Sequence, residues 1–112
     1  MKVLDLRRVA REAVAANPTR PATAIVHDSD DARLVVFRLS PGQSVAPHRS
    51  ASSVTLTVVS GTGLASGVDA ERSITTGDVV TYDPNELHGM RAVDEELVLL
   101  ATITPRPGTR GG

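Results

Sequence analysis

Three histidines and no cysteine set the chemical repertoire of this 112-residue chain. A disulfide framework and a thiolate metal site are both excluded, so a metal would rely on imidazole, carboxylate or hydroxyl ligands. His27 stands beside the acidic run Asp28-Ser29-Asp30-Asp31 and reads as a surface residue. His48 and His88 instead lie in short apolar stretches bounded by glycine-containing turns, with Ser50 and Val54 following the first and Met90 following the second. Imidazole in such a place can bind a metal, accept a hydrogen bond or pass a proton near neutral pH. The neighbours supply little else. Glu86 precedes His88 by two residues and reads as a solvated turn charge, and Asp78 after Gly77 reads as a turn cap bonding backbone amides. His48 and Ser50 share a parity, yet neither an orienting acid nor a nucleophile elbow accompanies them, which argues against a serine hydrolase.

The elements that must carry these residues are mostly strands. Leu6, Val9, Ala10, Ala13 and Val14 recur at helical spacing and predict one helix over Leu4–Ala16, stopped by Asn17-Pro18. From Ala22 the pattern becomes short apolar runs separated by turn residues such as Pro41-Gly42, Gly61-Thr62-Gly63, Thr76-Gly77-Asp78 and Asp83-Pro84-Asn85. The predicted strands are Ala22–His27, Ala32–Leu39, Ser44–His48, Ser52–Val59, Thr62–Ser66, Glu71–Thr75, Val79–Tyr82, Leu87–Val93 and Glu96–Ile103. So many short strands at close spacing indicate a sandwich or closed barrel. Side chains alternate across a strand, so His48, Ser50, Val54, Leu56 and Val58 share one parity, and His88, Met90 and Ala92 share another face. Their apolar members make these the inward faces. The tail from Thr104 to Gly112 offers nothing apolar to bury and is expected to fray.

Composition narrows the partners. A formal net charge of −1 gives a polyanion little to attract, and Phe37 and Tyr82 are the only aromatics available for base stacking, so nucleic acid is not an expected partner. Charges interrupt every short apolar run of the amino terminus, and no apolar stretch reaches the length of a membrane span, so no membrane partner is expected and a cytoplasmic location is.

Two segments resemble a known family. Gly42-Gln43-Ser44-Val45-Ala46-Pro47-His48-Arg49-Ser50, continuing through Val54 to Gly61, is similar to the first cupin motif, G-x5-H-x-H-x3-E-x6-G. Gly77-Asp78-Val79-Val80-Thr81-Tyr82-Asp83-Pro84-Asn85-Glu86-Leu87-His88 is similar to the second, G-x5-P-x-G-x2-H-x3-N. The likeness runs over roughly 32–103 with no gap inside either motif. Gly42, His48, Gly61, Gly77 and His88 match. Ser50 stands where the family has a second histidine, and Val54 where it has a glutamate. Asp83, Asn85 and Ala92 replace the proline, glycine and asparagine of the second motif, and Asn tolerates the left-handed conformation that the glycine would adopt.

The resemblance implies an all-β fold, the double-stranded β-helix or jelly-roll barrel of small single-domain cupins, with a short N-terminal helix. It divides the chain into a helix and lead-in arm (1–21), a barrel (22–104) and a flexible tail (105–112). It also implies that His48 and His88 converge inside the barrel, with Ser50, Val54 and Met90 beside them as ligand-binding residues. His48 and His88 are then the candidate metal ligands for a divalent transition metal such as Zn, Ni, Fe or Mn. Because the carboxylate is a valine, no cofactor is assigned outright. The leading expectation is a small organic ligand bound in the barrel. A metal-dependent enzyme of dioxygenase or isomerase type, with a reduced two-histidine site, is the alternative, and a metal-free isomerase using one histidine as base is a third. Edge strands and a limited core make a homodimer the expected assembly, joined near 22–27 or through the N-terminal helix.

Overall fold

The computed structural model describes residues 1–108. Helix α1 (Leu6–Glu12) precedes strands β1 (Ala22–Asp28), β2 (Arg33–Leu39), β3 (Ser44–His48), β4 (Ser53–Ser60), β5 (Thr62–Ser66), β6 (Glu71–Thr75), β7 (Val79–Tyr82), β8 (His88–Arg91) and β9 (Leu97–Thr104). Antiparallel pairing builds a five-stranded sheet in the order β1-β2-β9-β4-β7 and a four-stranded sheet in the order β3-β8-β5-β6. The chain crosses between sheets repeatedly, as a jelly roll requires. Turn chemistry fixes where each strand stops. At Gly61, between β4 and β5, φ is +89°, and an added Cβ would collide with the carbonyl of Glu96. Only glycine satisfies both demands.

Alternation decides the core. Val54, Leu56 and Val58 of β4 pair with Ile103, Ala101 and Leu99 of β9, and this inner row meets Ala65, Ile74 and Met90 of the facing sheet. Leu39, Leu56, Leu97 and Leu99 are almost completely removed from water. The opposite face of the five-stranded sheet carries a second cluster, in which Ala10 of α1 covers Val36 and Val98. Helix α1 therefore packs on its own sheet.

That helix is shorter than the Leu4–Ala16 predicted from periodicity, for two electrostatic reasons. Asp5 caps its start by accepting a hydrogen bond from the Arg8 amide at 3.1 Å. Arg38 from β2 takes the carbonyls of Ala10, Arg11 and Ala13, which satisfies the helix end well before Asn17-Pro18. The tail also differs from the frayed segment expected beyond Thr104. Ser52 donates its hydroxyl to the Pro105 carbonyl at 2.7 Å, and the Arg106 guanidinium meets Asp28 at 2.7 Å. Residues 109–112, the remainder of that expected tail, lie outside the described residues. No described helix is long and apolar enough to cross a membrane.

The inner row yields a stability prediction. Leu56→Ala should cost about 2–4 kcal/mol in urea denaturation, whereas Val79→Ala, at an outward position 57% exposed, should change stability by less than about 0.5 kcal/mol. Equal small effects would contradict the inward placement of Leu56.

Candidate functional site

The site begins with a break in the β3–β8 ladder. Val45 lies opposite Met90 and His48 opposite His88, so Ala46 and Pro47 together face the single residue Gly89. Proline has no amide hydrogen to give the ladder, which makes this the place for a bulge. The extra residue matters because Val45 and His48 are three apart and would otherwise point to opposite faces. Gly89 makes the bulge feasible. A Cβ at Gly89 would sit 3.0 Å from both the Pro47 nitrogen and the Val45 oxygen.

Through this register shift the two imidazoles meet, with ring centroids 4.2 Å apart and planes tilted by 58°. His88 is buried, while His48, on the edge strand, is exposed. Each ring is held in the same way. His48 Nδ1 lies 3.0 Å from the Ala46 carbonyl oxygen, and His88 Nδ1 lies 3.0 Å from the Glu86 carbonyl oxygen. A carbonyl only accepts, so Nδ1 carries the hydrogen in both rings and Nε2 keeps its lone pair when the ring is neutral. Burial holds the His88 imidazole below the usual histidine range; the neighbouring His48 acts in the same direction, against the opposing pull of Glu86.

Tyr82 of β7 closes the inner side, its ring centroid 5.2 Å from that of His88. Its hydroxyl donates to the Ser66 carbonyl at 2.8 Å, and burial, helped by the charge of Glu86, raises the phenol above its ordinary value. Val54 lies opposite Tyr82 in the β4–β7 ladder and is buried, as is Met90. Ser50 is placed differently from the shared-face expectation. It belongs to the loop between β3 and β4, so strand parity does not reach it, and its hydroxyl oxygen accepts from the Ser52 amide at 3.1 Å. The same loop is fastened to the turn before β8. Asn85, with φ of +67°, donates its amide to the Ser50 carbonyl at 2.6 Å and receives Arg49 Nη1 on its own carbonyl at 2.8 Å. Glu86 turns back as well, its Oε1 accepting from the Asp83 amide at 2.9 Å.

A cavity of about 600 Å³ includes Ala65, Ile74, Val80 and Arg72 in its walls and contains neither histidine. Tyr82 and Glu86 are the residues it shares with the histidine surroundings. Sequence reasoning missed this cavity and the place of Tyr82 in its wall. The available signal was the even spacing of Val80 and Tyr82, which puts both on the inward face of β7.

The residues around the pair are a poor set of ligands for a resident divalent metal. Two imidazole nitrogens are available, while the Ser50 hydroxyl oxygen accepts from the Ser52 amide and one of the two Glu86 carboxylate oxygens accepts from the Asp83 amide. Val54 is apolar, and among the described residues no three His, Asp or Glu side chains form a metal-sized group. A dication held by two neutral donors beside an apolar core would keep its charge uncompensated. The donor set does not fit a tightly held metal.

The buried imidazole gives a pH prediction. Because folding lowers the His88 pKa, the unfolded chain binds more protons than the native state as pH falls through the ordinary histidine range. This contribution to stability is complete above about pH 6.5 and is lost below it. His88→Gln should therefore flatten the decline in stability between about pH 7.5 and about pH 5.5, measured by denaturant unfolding at each pH. An unchanged slope would contradict the burial of a neutral His88.

A cupin-domain family model matches residues 35–103. No curated protein matches. Among solved structures, an RmlC-like cupin protein from Desulfovibrio desulfuricans shares 30% identity over 94% of this chain and 97% of its own, with a TM-score of 0.79. An uncharacterised double-stranded β-helix protein from Klebsiella pneumoniae gives 22% identity over 95% and 91% of the two chains, with a TM-score of 0.82. A predicted oxalate decarboxylase from Thermotoga maritima gives 24% identity over 76% and 80%, with a TM-score of 0.72. The match of the family model to more than half of the sequence, carried by a jelly roll with both motif histidines side by side, makes this chain a member of the cupin family.

Proposed function

We propose that this cupin domain binds a small organic ligand at the His48–His88 pair without a resident metal. The observation that carries the reading is the matched anchoring of the two rings: both Nδ1 atoms are spent on backbone carbonyls, leaving two Nε2 atoms at adjoining rings. Val54, opposite Tyr82, and Met90, two residues beyond His88, belong to the apolar core. A mostly apolar surround with a few fixed polar atoms is the usual composition of a small-molecule site. His48 is the exposed member, so a ligand would approach from its side and meet buried His88 last. The test is a screen of chemically diverse small compounds against metal-stripped protein, read from the ring signals of His48 and His88 by NMR. Saturable shifts that persist in EDTA are expected. Binding that vanishes in EDTA and returns with metal would overturn the reading in favour of a metal-dependent enzyme.

The missing charge gives a second test. Val54 stands where the motif has its glutamate, so Ser50→His with Val54→Glu should raise affinity for Zn²⁺ or Ni²⁺ by at least about 100-fold. The metal-free double variant should melt below the parent, because it buries an unpaired carboxylate, and recover when metal is added. Parent affinity equal to that of the variant, by titration calorimetry, would make the natural pair a metal centre. The homodimer is likewise a proposal. Ile25, 57% exposed on edge strand β1, supports pairing through that strand, and α1 is already committed to its own sheet. Light scattering showing a monomer would refute it.

A further inference from the structure

We propose that the cavity of about 600 Å³ at the open seam between β6 and β7 is a second binding site, and that its occupant is a small organic cation, a protonated amine on an apolar body. This site contains neither histidine and does not depend on what the His48–His88 pair binds.

The seam follows from the topology. β6 ends the four-stranded sheet and β7 ends the five-stranded sheet, so two strands consecutive in the chain are both edges and are not hydrogen-bonded to each other. Alternation turns Ile74 of β6 and Val80 and Tyr82 of β7 towards the core, where Ala65 of β5 joins them. The same four side chains line the cavity, so part of the apolar core opens at this seam. The volume lies within the range of roughly 300–1,000 Å³ usual for small-molecule sites, whose floor is mostly apolar with a few polar groups.

Charge selects the occupant. Carboxylates reach the wall from three separate elements: Asp69 from the turn between β5 and β6, Asp78 from the turn before β7, and Glu86 from the turn before β8. Arg72 of β6 is the one cation among the described wall residues, which leaves a formal excess of two negative charges. Arg91 is held by both carboxylate oxygens of Glu71 and lies outside the wall. Asp78 Oδ2 accepts from the Thr75 amide and Glu86 Oε1 from the Asp83 amide, so each carboxylate keeps a second oxygen for a ligand. Burial and, after it, the charge of Glu86 raise the Tyr82 phenol, so the field of that carboxylate reaches the cavity floor. The Tyr82 hydroxyl hydrogen is spent on the Ser66 carbonyl, and the hydroxyls of Ser73 and Thr81 donate or accept and so favour neither sign. An ammonium group donates and never accepts, which suits carboxylate oxygens. An anion would meet three like charges against one guanidinium.

The experiment titrates full-length, metal-stripped protein at about pH 7 with benzylamine, benzyl alcohol and benzoate, which carry a cation, a neutral group and an anion on one ring. The methyl signals of Ala65, Ile74 and Val80 report the cavity, and the ring signals of His48 report the pair. Benzylamine should shift the three methyls saturably and bind at least about tenfold more tightly than benzoate, with benzyl alcohol between them. Asp69→Asn with Asp78→Asn removes two charges while keeping an oxygen for the Thr75 amide, and should bring benzylamine down to the affinity of benzyl alcohol. Arg72→Gln, at an exposed position, removes the opposing charge and should tighten benzylamine. Benzoate binding the parent as tightly as benzylamine, or benzylamine weakened by Arg72→Gln, would overturn the cationic class. Silence at all three methyls, or shifts confined to His48, would overturn the cavity as a site and leave the reading of the pair to its own screen.

Discussion

The close approach of Pro47 to Gly89 is the constraint on which the site depends. Two residues of β3 must fit opposite one residue of β8, and they do so because proline gives nothing to the ladder and glycine leaves the space empty. Without that bulge, the three-residue step from Val45 to His48 would turn the histidine away from His88. With it, one edge strand supplies both a wall residue for the core and an exposed imidazole for the site. The loops then fix the result. Asn85 in the left-handed region ties the turn before His88 to the loop after His48, so both rings are referenced to one piece of backbone.

The same arrangement explains how a family known for metal sites accommodates this chain's chemistry. Val54 stands where the family motif has a glutamate, and this apolar residue joins the core row of β4 opposite Tyr82. Backbone carbonyls hold the orientation of both imidazoles. Their tautomer is thus a property of the fold. An acceptor-only pair, half buried at a sheet edge, is the chemical character that follows.

Much of this was legible in the sequence, for identifiable reasons. Strands β3, β5, β6 and β7 fall on their predicted limits because Gly42, Gly61, Gly77 and Asp83-Pro84 interrupt every alternative. The inward row Val54, Leu56 and Val58 followed from alternation alone. Convergence of His48 on His88 came from the motif resemblance, whereas the bulge that achieves it was signalled only by a proline inside a strand. Ser50 was misplaced because parity was carried across a loop that has none. The helix was drawn too long because periodicity does not reveal Arg38, distant in sequence, taking the helix-end carbonyls. The anchoring of Arg106 on Asp28 was invisible for the same reason: it joins residues 78 positions apart.

The central claim is that backbone carbonyls hold both histidines with Nδ1 protonated and Nε2 free. Long-range ¹H–¹⁵N correlation spectra of the ring nitrogens, recorded on metal-stripped protein at about pH 8 where imidazoles are neutral, test it directly. The account predicts Nδ1–H signatures for both His48 and His88, with Nε2 at the chemical shift of an unprotonated nitrogen. An Nε2–H tautomer at either ring would contradict it.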